Sequence, residues 1–132
     1  MRSWEKFVSA TAVSVIVAGA VYAYDRERLA HTDLHQMYQD LNRRRFEGKL
    51  PDIPVQWGNL QAEKAYGETR QFQDGLLVIV LDKYTVTSQK ELDETMRHEM
   101  AHICAGVEHG HDDKFRECVE DILPANTQRP KL

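Results

Sequence analysis

Cysteine is scarce in this chain: 132 residues hold two, Cys104 and Cys118, with no C-x-x-C pair. That excludes a zinc ribbon and a multi-disulfide framework, so any metal site has to be built on histidine and carboxylate. A surplus of positive charge is also missing. The formal net charge is −4, which gives no global reason to expect nucleic acid or an anionic membrane surface as partner. The local basic cluster Arg43-Arg44-Arg45 with Lys49 reads as a solvated helix end, where cations offset the helix dipole. Charged residues at 29 % and hydrophobic ones at 42 % are the proportions of a folded unit. The length suits one domain with a modest core.

The first segment differs in composition from the rest. Arg2 and Lys6 precede Phe7 to Tyr24, an uncharged run rich in Ala, Val, Ser and Gly. A basic start, an apolar middle and the small-x-small triplet Val21-Tyr22-Ala23 make the layout of a signal peptide or signal anchor. The run is near the lower limit for crossing about 30 Å of hydrocarbon. The expectation is therefore residues 1–24 as leader or anchor, attached to a membrane through 7–24 if retained, and one domain from 25 to 132. That domain is expected outside the cytoplasm, with a cytoplasmic location as the alternative.

Beyond Asp25 the pattern turns helical. Leu34, Met37, Tyr38 and Leu41 follow i, i+3, i+4, i+7, with Phe46 further along the stripe. Thr32-Asp33 offers a cap, or the helix begins near Asp25, and Gly48 with Pro51 closes it. His31 and His35 share a face but lack an acidic or cysteine partner at ligand spacing, so they read as solvent-facing. A short strand is expected at Val55-Gln56-Trp57. Ala65 to Phe72 and Leu76 to Leu81, joined by Gln73-Asp74-Gly75, read as a hairpin. The unbroken apolar run LLVIVL implies burial on both faces. Gly67 within a strand pattern implies a bulge or a close backbone approach. Asp112 can cap a last helix with Phe115, Val119 and Ile122 facing inward, ended by Pro124, and the polar tail 125–132 is expected to fray.

Between these pieces lies Met96-Arg97-His98-Glu99-Met100-Ala101-His102-Ile103, which contains H-E-x-x-H. Ser88-Gln89-Lys90-Glu91 is an S-x-x-E capping box that starts its helix. Residues four apart lie about 40° from one another on a helix, so two imidazoles reach one ion, and zinc accepts imidazole nitrogen. Glu99 follows the first histidine, where it can serve as general base without ligating. Leu92, Met96, Met100 and Ile103 cluster roughly 120–160° around from His98. The helix thus has a complete core stripe and does not need its histidines for packing. A catalytic zinc keeps three protein ligands, and the candidates for the third are His109, His111, Asp112 and Asp113. The metzincin spacing puts its glycine and third histidine at Ala105 and Glu108, where neither residue fits.

His98-Glu99-x-x-His102 followed by Gly110-His111-x-x-x-Phe115 resembles the SprT-like (Spartan-type) zinc metalloproteases. Leu41-Asn42 with Phe46-Glu47-Gly48-Lys49-Leu50-Pro51 is similar to that family's N-x-x-x-F-x-G-x-L-P element. Gln56-Trp57, Ala65-Tyr66-Gly67 and the strand Ile79 to Leu81 follow in the family's order. The resemblance runs over roughly residues 34 to 122. It implies Zn2+ held by His98, His102 and His111, with Glu99 as catalytic base; His109 reads as a solvent-exposed loop histidine and is the runner-up ligand. Asp112 and Asp113 read as cap and surface residues rather than ligands, with orientation of His111 as the other role open to either.

The expected fold is α+β: a small zincin-like domain with an N-terminal helix, a three-stranded mostly antiparallel sheet, the HExxH helix and a C-terminal helix. The expected activity is a zinc-dependent metalloendopeptidase acting on a protein or peptide substrate. Tyr66, Tyr84 and His109 are candidates for stabilising the oxyanion. The alternatives are a zinc-stabilised module without catalysis and a zinc hydrolase of cell-wall peptides. Cys104 and Cys118 flank the loop carrying His111; a disulfide would brace it in an exported protein, whereas two small buried thiols fit a reducing compartment.

Overall fold

The strand that reads as a continuous apolar run, β3 (Leu77–Asp82), lies in the middle of a three-stranded sheet. Its alternate side chains feed two cores. Ile79 and Leu81 join Tyr38, Leu41, Leu92, Met96 and Met100, while Val78 and Val80 pack with Leu60 on the opposite face. Burial on both faces is why no polar residue alternates along it. The computed structural model describes the backbone of residues 5–122 and the side chains of residues 18–119.

β2 (Gly67–Gln71) pairs with β3 antiparallel across the expected hairpin, and β1 (Val55–Gly58) pairs with β3 parallel. The sheet is therefore mixed, in the order β1-β3-β2, within an α+β domain. β2 is left as an edge. The parallel pairing of β1 has no local turn to announce it, because its partner lies more than twenty residues on.

The helices α1 (Glu5–Ala30) and α2 (Leu34–Arg45) precede the sheet, and α3 (Gln89–Ala105) and α4 (Asp113–Ile122) follow it, with a 3-10 turn at Val107–His109 between them. α1 runs unbroken through position 25, where the composition changes, and buries Leu29 in the main core. Among the described residues no helix is long and apolar enough to cross a membrane. Asp33 caps α2 by accepting from the Gln36 amide at 3.0 Å. Leu34, Tyr38, Leu41 and Phe46 are buried as their spacing requires. Asn42 and Leu50 bond reciprocally, Nδ2 to the carbonyl at 2.9 Å and amide to Oδ1 at 3.1 Å, and the Tyr38 hydroxyl donates to the Pro51 carbonyl at 2.7 Å. These bonds hold the loop that leads into β1. His35, half exposed, meets Asp52 at 2.7 Å. In α4, Phe115 and Cys118 are buried and Val119 is half-buried. The side chain of Ile122, the stop at Pro124 and the tail 125–132 lie outside the described residues, as do the side chains of the first seventeen residues.

At the end of β3, Asp82 is fully buried. Its Oδ1 accepts from the Leu60 amide at 2.9 Å, and its Oδ2 accepts from the amide of Thr85 at 3.0 Å and from the Thr85 hydroxyl. One carboxylate therefore ties the loop after β1 to the turn before α3. Asp82→Ala strands these donors in the interior, and a buried unsatisfied group costs about 1–3 kcal/mol. Urea unfolding should show a loss of about 3 kcal/mol, whereas a loss below about 1 kcal/mol would mean that the donors find other partners.

Candidate metal centre

α3 starts where its capping box places it. The Glu91 amide donates to Ser88 Oγ at 3.1 Å, and Glu91 Oε2 accepts from the amides of Thr87 at 2.7 Å and Ser88 at 3.2 Å. The helix then divides into three faces. Leu92, Met96 and Met100 are fully buried in the main core, with the half-buried Ile103 packed against it. Thr95 and Glu99, also buried, face the edge strand β2. His98 and His102 look into a cleft of about 800 Å³ whose walls include Tyr66, Gly67, Thr69 and Val107. Gly67 lets strand and helix come together. A Cβ at that position would stand 2.7 Å from Thr95 Cγ2 and 3.1 Å from Glu99 Cγ, so a side chain there would clash with Thr95 and crowd Glu99.

The chain returns to the cleft over a short loop. Gly106 ends α3 with φ +99°, and Gly110 has φ +58° and ψ −140°, a conformation open in practice to glycine alone. His111 follows directly. Its Nε2 lies 3.1 Å from His98 Nε2 and 3.2 Å from His102 Nε2. Phe115, one helical turn on, packs on all three rings with centroid distances of 5.0, 4.5 and 4.7 Å. Cys104 and Cys118 form a disulfide with Cα atoms 6.1 Å apart, within the ordinary span, and it closes the segment that carries His111.

Three imidazole nitrogens converging without a carboxylate is a donor set for borderline transition metals rather than for magnesium or calcium. Ligand nitrogens on a tetrahedron with bonds of roughly 2.0–2.1 Å lie about 3.3 Å apart, close to the separations seen here. His98, His102 and His111 are thus near enough to one another to hold one metal ion, and they are the one such group among the described residues. Burial pushes the pKa of His98 down, helped by the neighbouring His111. Burial together with His98 and His111 brings that of His102 to about 4. Both rings are therefore neutral at pH 7, as a ligand must be.

Glu99 is 5 % exposed. Burial raises its pKa above the usual carboxylate range, opposed by a hydrogen bond from the Thr69 hydroxyl and reinforced by Glu68. Thr69 Oγ1 is 2.7 Å from Glu99 Oε2 and 3.2 Å from the Glu99 carbonyl oxygen.

The other candidates have other partners. His109 turns its Nδ1 to Asp112 Oδ2 at 2.7 Å and stays out of the three-histidine group. Asp112 also accepts from the Phe115 amide at 3.2 Å, which caps α4. It therefore orients His109 rather than His111, and Asp113 pairs with Arg116. Tyr66 lines the cleft, whereas Tyr84 lies under Lys83 Nζ and, like His109, is not among the cleft's lining residues. Sequence reasoning missed Thr69. Its one pointer was Gly67, two residues earlier on the same face of the strand.

Residues 34–130 match the family model of the SprT-like family. The chain belongs to the SprT-like family. No curated protein matches the chain at a significant level. The match covers α2 to α4, so the SprT-like unit comprises the sheet, the three histidines and Glu99, while α1 precedes it.

The depressed histidines contribute to the pH dependence of the metal-free protein. In the unfolded chain each titrates near 6.5, so below that value, down to about 4 for His102, the unfolded state binds more protons than the folded one. Stability then falls as pH falls through that window. Glu99, with its pKa raised, acts in the opposite direction. Urea midpoints of metal-free Glu99→Gln, which lacks that opposing group, should drop steadily from pH 6.5 to 4.5. They should drop less in the double variant Glu99→Gln/His102→Gln, and equal slopes would contradict the assignment.

Proposed function

We propose that the three-histidine group is the centre of a zinc-dependent metalloendopeptidase on a zincin-like scaffold. The observation that carries this is a buried, hydrogen-bonded carboxylate on the residue next to a metal-competent histidine, at the floor of an open cleft. His98, His102 and His111 would hold the ion through their Nε2 atoms. Zinc so bound supplies Lewis-acid polarisation of a carbonyl and of water at neutral pH.

The remaining work falls to the chain's own residues. Glu99 takes the proton of the attacking water and gives it to the amine nitrogen as the C–N bond breaks. Its raised pKa suits both halves of that transfer. Phe115 packs on the three rings and keeps them in place. The free edge of β2, which lines the cleft at Gly67-Glu68-Thr69, offers backbone groups to an extended substrate by strand addition. Such pairing reads main chain more than side chains, which fits unfolded protein or peptide substrates. Of the three oxyanion candidates Tyr66, exposed and lining the cleft, is the one we assign to that role.

A zinc-stabilised binding module without catalysis is the rival from another class. Structural zinc sites close with four protein ligands, whereas three histidines gather here. A structural site also has no need of the Glu99 carboxylate that lines the cleft beside the histidines. The disulfide and the apolar residues 7–24 together favour an oxidising compartment, with the domain exported or anchored outside the cytoplasm. In that setting cell-wall peptides are the second substrate class to test.

Glu99→Gln should keep one zinc per chain and lose roughly 10²–10⁴-fold of the activity on unfolded casein, the range for a general base. His111→Ala should lower zinc affinity by about 100-fold or more, beyond what loss of a ligand's supporting partner costs, and His109→Ala should leave it unchanged. Full activity in Glu99→Gln would overturn its role. Cleavage of peptidoglycan but not casein would move the substrate to the cell wall.

A further inference from the structure

Glu99 has two carboxylate oxygens, and the structure treats them differently. Oε2 is engaged by the hydroxyl of Thr69 at 2.7 Å. Oε1 lies beside Gly67, 3.3 Å from where a Cβ of that residue would be, and among the described residues no donor binds it. Thr69 and Gly67 are two apart on β2 and so project from the same face of the strand. Register fixes them there, since Gly67 stands opposite Leu81 and Thr69 opposite Ile79 on the central strand.

We propose that Thr69 is a positioning residue for Glu99: its hydroxyl occupies Oε2, and the space kept open by Gly67 leaves Oε1 as the oxygen that exchanges the proton with substrate water. This rests on the peptidase reading of the site. The chemistry follows from what a hydroxyl can donate. Thr69 Oγ1 has one hydrogen, and directed at Oε2 it keeps that oxygen an acceptor before and after transfer. A proton leaving water, as the water oxygen's electron pair bonds to the carbonyl carbon, then goes to Oε1, the oxygen whose lone pairs Thr69 leaves unengaged. It departs from Oε1 to the leaving nitrogen as the C–N bond breaks, and Glu99 is again a carboxylate. The same hydrogen bond fixes the carboxylate torsion, which is broad and nearly two-fold in a free glutamate.

A structural role is the competing explanation, because Thr69 Oγ1 is also 3.2 Å from the Glu99 carbonyl oxygen and could simply tie β2 to α3. Two substitutions in the zinc-loaded full chain separate the roles. Thr69→Val keeps the shape and removes the hydroxyl, and Thr69→Ser keeps the hydroxyl. With labelled unfolded casein as the probe, Thr69→Val should lose about 10–100-fold in kcat with KM and zinc content unchanged, less than removal of the general base itself. Thr69→Ser should return to within about threefold of wild type. Crystal structures supply a readout that does not depend on cleavage. Glu99 should hold one rotamer, with Oε2 on residue 69, in wild type and Thr69→Ser, and should leave it in Thr69→Val. A normal kcat in Thr69→Val, a Thr69→Ser as impaired as Thr69→Val, or an unmoved Glu99 rotamer in Thr69→Val would each overturn the proposal. If wild type and Glu99→Gln are equally inactive, the peptidase reading fails, and the rotamer comparison still decides what Thr69 does.

Discussion

Three imidazole rings have to meet at one point, and the rest of the domain is arranged around that requirement. Two come from one face of α3, where i, i+4 spacing brings them together at no conformational cost. The third has to be delivered by a separate segment. Gly106 and Gly110 turn the chain, Phe115 seats all three rings, and the Cys104–Cys118 disulfide closes the segment. Nε2 separations of 3.1 and 3.2 Å are close for groups that would repel if protonated. Burial, helped by the neighbouring rings, is what keeps the protons off His98 and His102.

Around this point the sheet acts as a brace. β3 is buried on both faces and supports β2, and β2 meets α3 through the one residue without a side chain to obstruct it. That contact puts Glu99 out of water. Its burial is therefore a consequence of helix and strand packing rather than of the histidines. Thr69, from the same strand, supplies the hydrogen bond that a buried carboxylate needs.

Features set by neighbouring residues were legible in the sequence. The Ser88–Glu91 capping box, the stripe Leu92-Met96-Met100, the hairpin between β2 and β3 and the close approach at Gly67 all follow from spacings within one or two turns of chain. The apolar run of β3 correctly implied two covered faces. Features that depend on distant segments were not legible. β1 carries no signal that its partner runs parallel. Asp82 sits in Leu-Asp-Lys, a context that reads as surface, and its burial depends on Leu60 being brought to it. Asp112 has the composition of a residue that orients His111, yet the turn before α4 gives it to His109. Thr69 looks like any strand threonine until α3 lies against it. Composition alone left four candidates for the third ligand. The resemblance of Gly110-His111-x-x-x-Phe115 to the SprT-like element narrowed them to His111, and the structure adds why the pattern works, since Gly110 turns the chain and Phe115 packs on the ring.

The account depends most on His111 completing a three-nitrogen site that remains open on its fourth side. X-ray absorption at the zinc edge, on the full chain loaded with one equivalent, measures this directly. The account predicts three imidazole nitrogens at about 2.0–2.1 Å with one further light-atom scatterer that exchanges with added anions. In His111→Ala the imidazole count should fall to two. A fourth protein ligand, a sulfur in the first shell, or an imidazole count unchanged by removing His111 would contradict it.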